Sequence, residues 1–157
     1  MNETSQIAPS PKAATVTRSG SCHCGAVRFQ VELAPDFRAG RCNCSICMKV
    51  AQTSVIVKPR AFKLLAGEES LGRYAWGAKI STRSFCKHCG VHCFGAGHLA
   101  EIGGDFAAVN LNCLDDFDVN TLELVHWDGR HDNWQAGPRT TPWPLVAAND
   151  GAAPRAS

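Results

Sequence analysis

Gly20-Ser-Cys22-His-Cys24-Gly25-Ala26-Val-Arg-Phe-Gln-Val-Glu-Leu33 carries the two signals that decide the fold. The first is a knuckle, C-x-C followed by a glycine that tolerates the positive φ of a tight reversal. The second is the run behind it. Across Ala26–Leu33, Val27, Phe29, Val31 and Leu33 face one way while Arg28, Gln30 and Glu32 face the other. A period of two is that of a half-buried strand.

The same style of segment continues along the chain. Ser54–Val57 is a short β-branched run stopped by Pro59, and Phe62–Leu65 and Leu71–Trp76 flank a turn region at Gly67-Glu-Glu-Ser. Lys79–Phe85 sets Ile80, Thr82 and Ser84 against Ser81, Arg83 and Phe85; Phe106–Leu111 and Leu122–Trp127 follow, the last ended by Asp128-Gly129. Only Ser45–Val50 reads as a helical turn or two. No segment sustains a helical period over about twelve residues. The expectation is an all-β, β-dominated domain of short strands joined by cysteine-bearing turns. Residues 1–19 and 148–157 are poor in large apolar groups and read as disordered tails around one domain at 20–147.

At 157 residues, 45% hydrophobic and 19% charged, the chain can bury a core without disulfide help. Nine cysteines are then unusual, and an odd number cannot all pair within one chain. The first twenty residues lack the apolar stretch of a secretory signal, and no run approaches a membrane span. The cysteines are expected to work reduced, in the cytoplasm and away from a membrane, as metal ligands or reactive thiols. Residues 1–100 hold 13 Lys/Arg against 5 Asp/Glu, and residues 101–157 hold 3 against 9. The basic residues are scattered singly, without runs or aromatic interleaving, which argues against nucleic acid as a partner. Two oppositely charged halves neutralising each other across the fold is the plainer reading. Oligomeric state is not legible.

Three clusters hold seven of the cysteines: Cys22-His-Cys24-Gly25, Cys42-Asn-Cys44-Ser-Ile-Cys47 and Cys86-Lys-His-Cys89-Gly90. Zinc takes thiolates at about 2.3 Å with tetrahedral angles, which turns of this kind supply. Seven divide into four and three. Cys22, Cys24, Cys86 and Cys89 would close a four-thiolate structural site. Cys42, Cys44 and Cys47 would hold a second zinc with its fourth position open, the pattern of a zinc that does chemistry. Spacing alone leaves the opposite partition open, with Cys42 and Cys44 paired to Cys86 and Cys89. Gly20-Ser-Cys-His-Cys and Gly40-Arg-Cys-Asn-Cys, twenty residues apart, suggest two turns of the same geometry. Cys93 and Cys113 stand apart and read as buried core cysteines.

Gly20-Ser-Cys-His-Cys-Gly-Ala-Val-Arg-Phe, Cys42-Asn-Cys-Ser-Ile-Cys and Phe85-Cys-Lys-His-Cys-Gly together resemble the glutathione-dependent formaldehyde-activating enzyme family, also called the CENP-V/GFA domain family. Phe62-Lys-Leu-Leu-Ala-Gly-Glu and Val109-Asn-Leu-Asn-Cys-Leu-Asp115 extend the likeness over about 20–135. The resemblance implies an Mss4-like, β-tent fold of small antiparallel sheets around zinc. It implies structural ligands at Cys22, Cys24, Cys86 and Cys89 and catalytic ones at Cys42, Cys44 and Cys47. It also implies carbon–sulfur lyase activity, the addition of a thiol such as glutathione to a small aldehyde such as formaldehyde. The partners would be that thiol and that aldehyde. A zinc-stabilised binding module, or a carrier of glutathione or zinc, is the alternative.

Around the three-cysteine motif, Arg41 and Lys49 are candidates to attract a ligand's carboxylates, though exposed basic residues are more often simply solvated. His92 is a candidate proton carrier or a packed histidine. His23 and His88 sit inside the knuckles and are expected to face solvent. The stretch from His126 to Arg139, with Trp143 beyond it, closes over a site or wraps apolar surface through Trp127, Trp134 and Trp143.

Overall fold

The structure, a computed structural model, describes residues 14–146. Its strands are β1 (Val16–Ser21), β2 (Arg28–Leu33), β3 (Ala39–Cys42), β4 (Ser54–Val57), β5 (Phe62–Ala66), β6 (Leu71–Tyr74), β7 (Ser81–Cys86), β8 (His92–Leu99), β9 (Gly104–Asn110) and β10 (Leu124–Trp127). The single α-helix among the described residues, α1 (Ser45–Lys49), lies between β3 and β4, and several one-turn 3-10 segments join the strands. The fold is all-β, as the alternating runs imply.

One sheet has three antiparallel strands in the order β1-β2-β5, and the other has seven in the order β10-β3-β4-β9-β8-β7-β6. Every pairing is antiparallel except β10 with β3, which is parallel and sets Trp127 opposite Cys42. That one pairing brings the C-terminal stretch to the three-cysteine motif.

The core lies between the sheets. Val27, Phe29, Val31 and Leu33 are all buried, as the period of two in β2 predicts. Phe29 meets Phe62 at 5.7 Å and Phe94 at 5.8 Å between ring centres, edge-on or tilted. Gly20 makes room for this cluster, since a Cβ there would sit 2.5 Å from the Phe29 ring. Cys93 and Cys113 are buried in the same core, as expected, with Sγ atoms directed at the Val91 and His92 carbonyls.

Three strands, β1, β3 and β8, depart from the sequence reading; β3 is only four residues, Ala-Gly-Arg-Cys, with no apolar alternation to announce it. Val16–Ser19, placed in the tail at 1–19, belongs to β1 and pairs in register with β2, from Val16 opposite Leu33 to Ser21 opposite Arg28. Four of its six residues are exposed, so no hydrophobic alternation announces it; backbone pairing makes the strand. β8 is equally silent because Gly95 and Gly97 interrupt its pattern. A Cβ at Gly95 would lie 2.7 Å from the Thr82 carbonyl and one at Gly97 2.5 Å from the Ile80 carbonyl. Glycine serves here for close backbone approach, not for a turn. The rest of the expected N-terminal tail, 1–13, and the C-terminal one, 148–157, lie outside the described residues.

Candidate functional site

Two knuckles bring the first cysteine group together. The turn after β1 and the turn after β7 share a construction: Cys22 N–H donates to the Val27 carbonyl and Cys86 N–H to the Val91 carbonyl, each at 3.0 Å. Gly25 and Gly90 close them at φ +79° and +74°, which is why glycine stands there. The sulfurs of Cys22, Cys24, Cys86 and Cys89 lie within 4.8 Å of one another. Cys22 and Cys24 are 3.5 Å apart, Cys24 and Cys86 3.6 Å. Four sulfurs bound tetrahedrally at about 2.3 Å are separated by roughly 3.8 Å, so the group fits a zinc ion. Burial pushes the Cys22 thiol up, but the Val27 N–H and the Cys24 and Cys86 thiols bring it below its ordinary value. The Val91 N–H, followed by that of Cys24, lowers Cys89 to about 6. Such hydrogen bonds favour the anionic sulfur a metal requires. His23 and His88 are exposed; His88 meets Ser70 Oγ at 3.2 Å and leaves the cysteines to themselves.

The Cys42 motif is built differently, which corrects the expectation of a second turn with the Cys22 geometry. β3 delivers Cys42, Cys44 caps α1, and Cys47 lies one turn on, at i+3 from Cys44. Their three sulfurs lie within 4.8 Å of one another, as a group separate from the first four. Asn43, the middle residue, is buried, whereas His23 in the other turn is exposed. Contacts with Cys42 and then Cys47 hold the Cys44 thiol down at about 2, while the reciprocal contact with Cys44 pushes Cys42 up. Thiols this close cannot ionise independently; the first thiolate to form is stabilised at its neighbours' expense. A cation would replace the remaining protons.

Like Asn43 and Asp128, Arg83 was missed by the sequence reading, and it lines the site. From β7 its Nη2 donates to Cys47 Sγ at 3.0 Å and its Nη1 to Gln52 Oε1 at 3.2 Å. Its charge adds to the lowering of Cys44 and offsets part of the rise that the Cys44 contact and burial impose on Cys47. The only sequence signal was a charged residue sharing a strand face with Phe85. Arg41 and Lys49 take no part in the wall of the site. Arg41 alternates with Cys42 along β3 and donates to Thr53 Oγ1 at 3.1 Å, while Lys49 lies exposed at the end of α1. His92 also stays out of the wall: it stacks on Phe85 at 5.4 Å, and burial followed by the Arg83 charge lowers its pKa.

The segment after β10 folds onto the motif. Asp128 is buried and accepts from Asn43 Nδ2 and His131 Nδ1, each at 2.6 Å, and from Asn133 Nδ2 at 3.3 Å. Burial alone would raise its pKa, but these three donors outweigh it and leave the carboxyl below its ordinary range. Asn43 Oδ1 in turn accepts from the Arg130 N–H at 2.9 Å. Gly129 lies so close that a Cβ would sit 2.6 Å from Cys42 Sγ and 2.7 Å from the Trp134 ring. Both expectations for this segment hold in part. Trp127 and Trp134 line the site, whereas Trp143 serves as a wrap, its Nε1 donating to the His126 carbonyl at 3.0 Å.

A cavity of about 850 Å³ opens over Cys42, Cys44 and Cys47, and none of the other four clustered cysteines lines it. The four-thiol group therefore lies outside this cavity, and the three-thiol group faces a space large enough for a small-molecule ligand.

A model of the family described as "Glutathione-dependent formaldehyde-activating enzyme" matches residues 17–127. A Halomonas elongata protein provisionally named for the same activity is 59% identical over 32 residues. That match covers 20% of this chain and 20% of the relative, so it spans only a fifth of the relative's length. The crystal structure of a Rhodobacter sphaeroides protein superposes with a TM-score of 0.62 at 29% identity, over 69% of this chain and 98% of that one. No helix among the described residues is long and apolar enough to cross a membrane.

Proposed function

The chain belongs to the glutathione-dependent formaldehyde-activating enzyme family, and from that premise we propose that it adds a thiol, glutathione or a relative, to an aldehyde of which formaldehyde is the simplest. The class would be that of a zinc-dependent carbon–sulfur lyase working in the cytoplasm. The observation that carries this reading is the cavity over Cys42, Cys44 and Cys47, which the other four clustered cysteines do not share. On this reading Cys22, Cys24, Cys86 and Cys89 hold a structural zinc that staples the β1–β2 turn to the β7–β8 turn. Cys42, Cys44 and Cys47 would hold a second zinc, facing the cavity in which the substrate binds.

When bound there, zinc supplies a centre that keeps an incoming thiol deprotonated at neutral pH, where a free thiol with a pKa near 8.5 is mostly protonated. The chain's own groups do the rest. Arg83 donates to Cys47 and offsets part of the negative charge of three thiolates. Asp128 and Asn43 hold the segment after β10 against the motif. The cavity walls keep sulfur and carbonyl carbon together, a proximity effect. The thiol sulfur forms a bond to the carbonyl carbon, the carbonyl π pair moves to oxygen, and that oxygen ends with the proton the thiol gave up.

The test is direct. Zinc-loaded protein is mixed with formaldehyde and glutathione, and the loss of free formaldehyde is followed. Decay faster than the spontaneous reaction supports the proposal. Decay at the spontaneous rate, with glutathione and with other thiols and aldehydes, removes it.

A further inference from the structure

The cavity is larger and more apolar than glutathione and formaldehyde require. Formaldehyde has two heavy atoms. Glutathione presents two carboxylates and an ammonium group, and needs charged partners for them. The charged side chains in the wall are few. Arg83 is committed to Cys47 and Gln52, which leaves Arg130 and Asp132, with His131 between them, on one segment after β10. Much of the remaining wall is Trp76, Ile80, Leu99, Phe106, Trp127 and Trp134. Ile80, 46% exposed, shares one wall with these side chains, and a contiguous exposed apolar patch of this kind marks a binding groove. The same cavity that reaches the three sulfurs therefore has a polar segment suited to a zwitterionic thiol and an apolar wall that this thiol does not need.

We propose that this apolar wall takes the substituent of the carbonyl substrate, so that the aldehyde for which the site is shaped bears a medium-length alkyl chain or an aryl ring. The inference rests on the thiol-addition reading above and gives its substrate class. The chemistry is unchanged: one carbon–sulfur bond forms, the thiol proton ends on the former carbonyl oxygen, and no oxidant or reductant enters. The wall contributes binding. Each methylene taken out of water tightens binding by up to about fourfold, so a six-carbon chain has much to gain where a one-carbon group has nothing.

The experiment compares S-methylglutathione with S-hexylglutathione on the zinc-loaded protein, and includes 1-hexanethiol as an apolar thiol without the tripeptide. Binding is read from the emission of Trp76, Trp127 and Trp134, all in the wall. The companion variant is Ala96→Phe. Ala96 is exposed on β8 and lines the cavity, and a strand tolerates phenylalanine well. The expected result is S-hexylglutathione binding at least about tenfold more tightly than S-methylglutathione. Ala96→Phe is expected to erase that advantage and leave S-methylglutathione unchanged. Equal affinities, or an advantage that Ala96→Phe does not reduce, overturn the apolar subsite and leave the glutathione reading standing. Tight 1-hexanethiol with neither glutathione conjugate bound supports the apolar subsite and overturns glutathione as the thiol. No binding of any of the three overturns both.

Discussion

Gly129→Ala is a one-carbon change whose consequence can be worked out from the structure. Gly129 does not occupy the left-handed region, so alanine brings no backbone strain. The difficulty is space. The added Cβ would sit 2.6 Å from Cys42 Sγ and 2.7 and 2.9 Å from two atoms of the Trp134 ring, where ordinary contact begins near 3.4 Å. Something must move by about 0.8 Å. If the sulfur moves, it goes about four times beyond the ~0.2 Å tolerance of a metal–ligand distance, and zinc binding at the three-cysteine site weakens. If the segment moves, the Asp128 hydrogen bonds stretch, and overpacking of this kind costs about 1–3 kcal/mol. For a chain of this size that lowers Tm by at least about 2 °C. The assay pairs zinc titration against a competing chelator with thermal unfolding. A variant that matches wild type in both would show that Gly129 does not press on Cys42 and that the segment does not close the site.

Two further substitutions test the surroundings. Arg83→Met removes the cation beside Cys47 and Cys44. In metal-free protein it should raise the thiol pKa values and slow alkylation of the cluster at fixed pH, with the pH–rate curve displaced upward; an unchanged curve would deny Arg83 any electrostatic role. Asp128→Ala strands the donors of Asn43, His131 and Asn133, at a cost of about 1–3 kcal/mol, read as a lower Tm and a red shift of Trp127 and Trp134 emission. Because the folded pKa of Asp128 is lowered, its stabilisation in the wild type is fully present above about 3.9 and is lost as pH falls through the folded value. The emission shift should therefore develop in the wild type only under acid conditions below that point. A shift centred near neutrality would contradict the assignment.

The parts of this molecule legible in the sequence were those written in local pattern. The period of two in β2, the turn-forming glycines after Cys24 and Cys89, and the helical turn at Ser45 all depend on neighbours in the chain. The division of the cysteines into four and three was suggested by spacing, which left one rival partition. What stayed hidden depends on partners far away. β1 exists because β2 offers it a register, and β8 tolerates two glycines because β7 passes close to its backbone. Arg83 reaches Cys47 across 36 positions, and Asp128 reaches Asn43 across 85. Arg41 is exposed, as the plainer reading of a basic residue beside the motif has it, because strand alternation turns it away from Cys42. Residues 128–134 follow β10, whose parallel pairing with β3 no local pattern announced.

Zinc content per chain, for wild type and for Cys44→Ser, tests the central claim most directly, because that claim is a division of labour between two groups of thiols. The account predicts two zinc ions in the wild type and one in Cys44→Ser, with the variant's circular dichroism and cooperative unfolding retained. Loss of both ions with unfolding on that single change, or retention of both, would contradict it.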